Sequence, residues 1–114
     1  MIIDKTTWLS GYRTLWMLVM FDLPVADKKD RRNYAKFRHF LLDEGFQMAQ
    51  FSIYYRLLSG KEVAEKYDKA IRTNLPPKGT VQILSITDKQ YENIRTYTGK
   101  KKEPSEKQTQ LVLF

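Results

Sequence analysis

The sequence predicts an α+β fold, and three observations carry that prediction. The run Thr14-Leu15-Trp16-Met17-Leu18-Val19-Met20-Phe21 is apolar on both side-chain faces and stops at Asp22-Leu23-Pro24, as a strand buried in the middle of a sheet would. Two later regions, Phe46 to Leu58 and Thr80 to Ile86, are rich in aromatic and β-branched residues. The segments from Lys28 to Glu44 and from Ser59 to the Leu75-Pro76-Pro77 stop carry apolar residues at helical spacing instead.

Pro24 ends the first strand because proline cannot extend the ladder. That leaves the Asp22 carboxylate at the exit of a central strand, a place suited to a metal ligand or catalytic acid and equally to an ordinary Asx turn. Asp27 can cap the helix that follows, and Asp30 sits in its first turn, where the dipole favours an anion. Tyr34, Phe37 and Leu41 form the buried stripe of this helix; Lys28, Arg32, Lys36 and His39 fall on the opposite face, and Gly45 supplies the stop.

Phe46 to Leu58 is too long for one typical strand and is divided near Gln50 to Ser52 into two strands joined by a tight turn, with no Gly or Pro to mark the break. Ser59 and Glu62 have the spacing of a capping box, and Val63, Tyr67, Ala70 and Ile71 give the second helix its apolar stripe. After the strand Thr80 to Ile86, Thr87 and Gln90 repeat the capping-box pattern and predict a short helix carrying Tyr91 and Ile94.

Residues 1–13 read as an ordered lead-in, 14–98 as the folded domain, 99–109 as a polar linker and 110–114 as a terminal strand. Leu111, Val112, Leu113 and Phe114 are apolar after that linker, and a five-residue strand cannot stand alone, so they are expected to pair with a partner. The order strand, helix, strand, strand, helix, strand is the ferredoxin-like βαββαβ arrangement of a four-stranded antiparallel sheet with both helices on one face. Ile53, Tyr55, Val81 and Ile83, or their alternating neighbours, would then be left wet, and a homodimer through the sheet face would cover them.

Composition narrows the function. The 114 residues suffice for one domain, and the absence of cysteine excludes disulfides and thiolate metal sites. A single histidine, His39, excludes a site built from several imidazoles. No apolar run reaches the length of a membrane span and no secretion signal is visible, so a soluble cytoplasmic protein is expected. Twenty Lys and Arg against 13 Asp and Glu give a formal net charge of +7, which favours polyanionic partners, nucleic acid first.

Several of these segments together resemble one family. Val19-Met20-Phe21-Asp22-Leu23-Pro24, the helix bearing Arg31, Arg32, Tyr34, Lys36, Phe37 and Arg38, the stretch Gly45 to Tyr54, and Leu75-Pro76-Pro77-Lys78-Gly79 occur in the order found in the small subunit of the CRISPR spacer-acquisition complex. The likeness is greatest to the form from systems with a single large effector nuclease. It implies a ferredoxin-like homodimer that bridges dimers of the CRISPR integrase large subunit and holds double-stranded DNA. The family is also described as metal-dependent endonucleases, which implies Asp22 as magnesium ligand and catalytic residue, shared across the dimer, with Ser52 as a second polar group.

Two other functions fit the same features. A stand-alone Mg²⁺-dependent endonuclease explains Asp22 but finds few helpers, since Asp27 and Asp30 are accounted for as helix-start residues. A ferredoxin-like RNA-binding module explains fold and charge, though no exposed aromatic pair of the stacking type is evident. For phosphate contact the sequence offers Arg13, Lys28, Arg31, Arg32, Lys36, Arg38, Arg56 and Lys78.

Overall fold

The computed structural model describes residues 13–99. Its elements are β1 (Leu15–Asp22), α1 (Lys28–Asp43), β2 (Gln47–Gln50), β3 (Ile53–Leu58), α2 (Lys61–Thr73), β4 (Thr80–Thr87) and α3 (Asp88–Glu92). The strands form one antiparallel sheet in the order β2-β3-β1-β4, the ferredoxin-like arrangement expected from the element order. The lead-in before Arg13, the linker beyond Gly99 and the apolar tail from Gln110 to Phe114 lie outside the described residues.

β1 is central, and its burial alternates: Leu15, Met17, Val19 and Phe21 are buried, whereas Trp16, Leu18 and Met20 between them are partly exposed. The buried set joins Phe37 and Leu41 of α1, Ala64 and Ile71 of α2, and Tyr54 and Leu58 of β3 in one core, so both longer helices cover the same sheet face. On β4 the cross-strand register assigns Val81 and Ile83 to that covered face, opposite Phe21 and Val19. Of the alternatives the sequence left open on β4, the structure takes the second: Val81 and Ile83 face the helices and their neighbours Gln82, Leu84 and Ile86 face away, along with Ile53, Tyr55 and Leu57 of β3.

That second face is not wholly open. α3 folds over its Leu15 end, where the rings of Trp16 and Tyr91 stack at 3.9 Å and 8°, and Tyr55 lies 5.8 Å from Trp16. The Trp16 indole N–H donates to Asp88 Oδ1 at 2.6 Å, fastening α3 to β1. Burial pushes the phenol of Tyr55 above its usual range; burial, then the proximity of Tyr55, does the same for Tyr91. A raised folded pKa means that stability is fully present below the unfolded value of 10.0 and falls as pH rises through the higher folded values. Replacing both tyrosines with phenylalanine is thus expected to flatten the alkaline limb of a urea-midpoint profile above pH 10, relative to the parent chain; a limb of unchanged steepness would refute it.

α1 begins as its sequence requires, with the Asp30 backbone N–H donating to the Asp27 side chain at 2.7 Å. It ends in a Schellman turn: Phe46 N–H donates to Leu41 O at 2.9 Å and Gly45 N–H to Leu42 O at 3.0 Å, with Gly45 at φ +88°. The Thr87 capping box is present, with Gln90 Oε1 accepting from Thr87 N and Thr87 Oγ1 accepting from Gln90 N. The box read at Ser59 is absent. Gly60 at φ 101° is the N-cap of α2 instead, and no side chain caps that helix.

Candidate functional site

The C-terminal end of β1 gathers several of the sequence-predicted polar residues. Asp22 is exposed, pairs with Thr80 across the β1–β4 ladder, and lies on the sheet face away from α1 and α2 by strand alternation. Its backbone is gripped by the Leu75-to-Gly79 loop: Gly79 sits at φ +95°, and a Cβ built there would lie 2.6 Å from Asp22 O and 2.7 Å from the Leu23 side chain. Only glycine fits so close an approach in the left-handed region. One residue earlier, Lys78 Nζ lies 3.9 Å from Asp30 Oδ1, bridging the loop to the first turn of α1. Asp30 is buried while the Lys78 side chain is 69% exposed, so Lys78 keeps most of its reach toward solvent.

On the other side of β1 the β2–β3 turn closes the same end. Phe21 N–H donates to Ser52 O at 2.9 Å, and the Ser52 hydroxyl lies 3.3 Å from Tyr34 Oη of α1. Ser52 is the one non-glycine residue with positive φ among the described residues, at 66°. That conformation costs a side-chain-bearing residue about 1–2 kcal/mol. It is how a segment without glycine or proline makes this turn. Ahead of it the ladder slips by one residue between Met48 and Gln50, and Phe51 is left 87% exposed at the tip. Sequence reasoning placed the turn but missed Phe51; the signal was a large apolar residue inside a predicted turn.

The cations fall into three groups. Lys28, Arg32 and Lys36 are exposed on α1, where Arg32, Lys36 and His39 line a shallow groove with Phe40, Asp43 and Glu44. Arg31 is exposed too, but its Nη1 donates to Val25 O and Ala26 O, both at 3.2 Å, holding the chain that leads into α1; Arg38 is half-buried. Arg56 points to the covered face: its Nη1 donates to Glu44 O and Tyr67 Oη, and its guanidinium carbon lies 4.6 Å from the Tyr67 ring centroid. Gly45 gives it room, since a Cβ there would meet the guanidinium at 3.0 Å. Arg13 precedes β1 and stands at the far end of the sheet from Asp22.

The fold thus brings together Asp22, Ser52, Lys78 and the start of α1, and leaves Arg13 and Arg56 apart from them. The sequence profile of the CRISPR associated protein Cas2 family matches residues 15–94, which spans the whole sheet, all three helices and this end of β1. The chain belongs to the Cas2 family. It is 45% identical over 112 residues to the CRISPR-associated endoribonuclease Cas2 of Flavobacterium psychrophilum, covering 97% of each chain. The protein of the same name from Paracidovorax avenae is 43% identical over 99 residues, covering 87% of this chain and 92% of that one. That of Lacticaseibacillus rhamnosus is 46% identical over 87 residues, covering 76% and 86%.

The donor set bears on a metal. Among the described residues no group of three or more His, Cys, Asp or Glu side chains could hold an ion. A single exposed carboxylate fits Mg²⁺ only with water and substrate phosphate completing its near-octahedral set of oxygens. Among the described residues, no helix is long and apolar enough to cross a membrane.

Proposed function

We propose that the protein serves CRISPR adaptation in the cytoplasm as a homodimeric scaffold that bridges dimers of the integrase large subunit and grips double-stranded DNA during spacer acquisition. The observation that carries this reading is the exposed cationic face of α1, with Lys28, Arg32 and Lys36 spaced along one side of a rigid helix. Cations at helical spacing on a rigid element suit a phosphate backbone and require no base-specific contact. The partly exposed apolar strip of Leu18, Met20, Ile53 and Leu84 supports a second copy packing on the sheet face, and the tail from Leu111 to Phe114 would pair with that copy or the integrase.

A second reading, metal-dependent endonuclease activity, is favoured by the relatives' name of endoribonuclease and by the exposed carboxylate that ends β1. In the proposed dimer two Asp22 carboxylates would share one Mg²⁺, which supplies a Lewis acid and a bound water of lowered pKa. Asp22 would hold the ion, while Gly79 and Ser52 keep the backbone on either side of it in place.

Asp22→Asn separates the two readings. Its expected result is loss of Mg²⁺-dependent cleavage of RNA or DNA, with duplex binding and spacer integration retained, since a scaffold uses geometry and charge. Loss of integration by a complex that still assembles would overturn the scaffold reading. Cleavage unaffected by the substitution would remove Asp22 from the chemistry.

A further inference from the structure

On the sheet face away from α1 and α2, two neighbouring strands turn from apolar to polar toward the same corner. Along β1 the side chains on that face run Trp16, Leu18, Met20 and then Asp22; along β4 they run Ile86, Leu84 and then Gln82 and Thr80. The register pairs Asp22 with Thr80 and Met20 with Gln82, whereas the β1–β3 ladder stops at Met20, so the ladder partner of Asp22 is on β4. Gly79 fixes that pairing, because its backbone lies so close that an added Cβ would be 2.6 Å from Asp22 O. Asp22, Thr80 and Gln82 are all exposed, and none of their side chains makes a hydrogen bond or ion pair with another described residue. Thr80 follows a turn, but Gln82 lies inside β4 between Val81 and Ile83, where no turn accounts for its amide.

Spacing and donor chemistry identify the ligand. Residues directly opposite in an antiparallel pair have Cβ atoms about 4.5–5.5 Å apart and diagonal ones about 7–8 Å, which roots Thr80 and then Gln82 beside the Asp22 carboxylate. They add a hydroxyl and an amide carbonyl, two oxygen acceptors without charge. One carboxylate with two neutral acceptors is too little charge to strip Mg²⁺, which dehydrates reluctantly and usually keeps several waters. Those waters are donors, and opposite ones lie about 4 Å apart at an ion–oxygen distance of about 2.0–2.1 Å. A hydrated ion therefore spans a corner of this width and offers each acceptor a proton. We propose that Thr80 Oγ1 and Gln82 Oε1 accept hydrogen bonds from the water shell of a hydrated Mg²⁺ drawn to the Asp22 carboxylate, and so act as positioning residues for that ion. The proposal rests on the metal-dependent reading above and adds to it two side chains of β4 and the form of the ion, water-clad rather than stripped.

Hexaamminecobalt(III) is the probe, since it has nearly the size and donor pattern of hydrated Mg²⁺ and its ligands do not exchange, so it binds only through its shell. The full chain, labelled with ¹⁵N, is titrated with Mg²⁺ alone and with the cobalt complex alone, and dissociation constants are read from the amide shifts. Both ions should move the Gln82 side-chain amide and the backbone amides of Asp22 and Thr80, and the cobalt complex should displace Mg²⁺. Thr80→Val and Gln82→Met together should weaken both ions about 10- to 100-fold, the range for residues that hold a metal's outer shell. Thr80→Ser keeps the hydroxyl and should keep the affinity. Both positions are exposed, so the variants should retain the core, with the thermal midpoint as the check. Mg²⁺ binding that the cobalt complex cannot displace would overturn the proposal, because the ion would then be stripped at Asp22. Unchanged affinity in the double variant, with binding lost in Asp22→Asn, would overturn it too while leaving the metal-dependent reading in place. Mg²⁺ shifts that survive Asp22→Asn, or none in wild type, would bring down that reading itself and the proposal with it.

Discussion

Replacing Phe21 with alanine is expected to cost about 3 to 5 kcal/mol of stability, read as a lower urea midpoint at nearly unchanged slope. The ring is 6% exposed and touches three others: Phe37 at 5.2 Å and 87°, Tyr54 at 5.6 Å, and Tyr34 at 5.8 Å. These rings belong to β1, α1 and β3, so a cavity at Phe21 removes packing between layers that no single element can replace. Phe21 also precedes Asp22 and bonds through its N–H to Ser52 O, and loosening it should weaken the geometry of the whole strand end. Phe21→Leu fills part of the space and should cost less. A midpoint shift under about 1 kcal/mol for the alanine variant would mean that the layers do not depend on this cluster.

Reversing Lys28, Arg32 and Lys36 to glutamate together is expected to have the largest effect on binding. Every phosphate that a cation no longer neutralises lowers the slope of log affinity against log salt by about 0.9, so the triple reversal should lower it by about 2.7 if all three cations touch phosphate. All three are exposed and none is needed by the core, and a glutamate in the first turn is favoured by the helix dipole, so the variant should fold. Lys66 and Lys69 on α2 are the control for a general loss of charge, reversed in the same way. A slope that drops equally in the control would mean diffuse attraction; a slope unchanged by the triple reversal would move the duplex to another surface. Arg56 would be a poor choice for such a series, because removing it would strand Glu44 O and Tyr67 Oη inside the protein.

Much of the fold was legible because its signals are local. An eight-residue strand apolar on both faces has one stable place, between two other strands, and β1 lies there. Asp27, Gly45 and Thr87 marked helix ends because each acts on backbone groups within a few residues of itself. Ser59 misled for the same reason turned around: the spacing to Glu62 was right, but the chain leaves β3 through Gly60 at φ 101°, and the cap passes to that residue.

The candidate site was legible only in part. The sequence by itself determined that a carboxylate ends the central strand, that α1 carries its cations on one side, and that the element order is ferredoxin-like. It left open which face of β4 meets the helices, because Val81, Ile83, Leu84 and Ile86 are apolar on both faces and a slip of one residue would exchange them. Only the tertiary structure decided that Gly79 presses on the Asp22 backbone, that Arg56 turns inward against Tyr67, that α3 covers the Trp16 end of the second face, and that Ser52 holds Phe51 out in solvent. The partners in the first three of these pairings are separated in the chain, and no local pattern records them. The exposure of Phe51 has the same origin: its turn is fastened to β1 and α1, and the apolar side chain is denied the core that its composition alone would have assigned it.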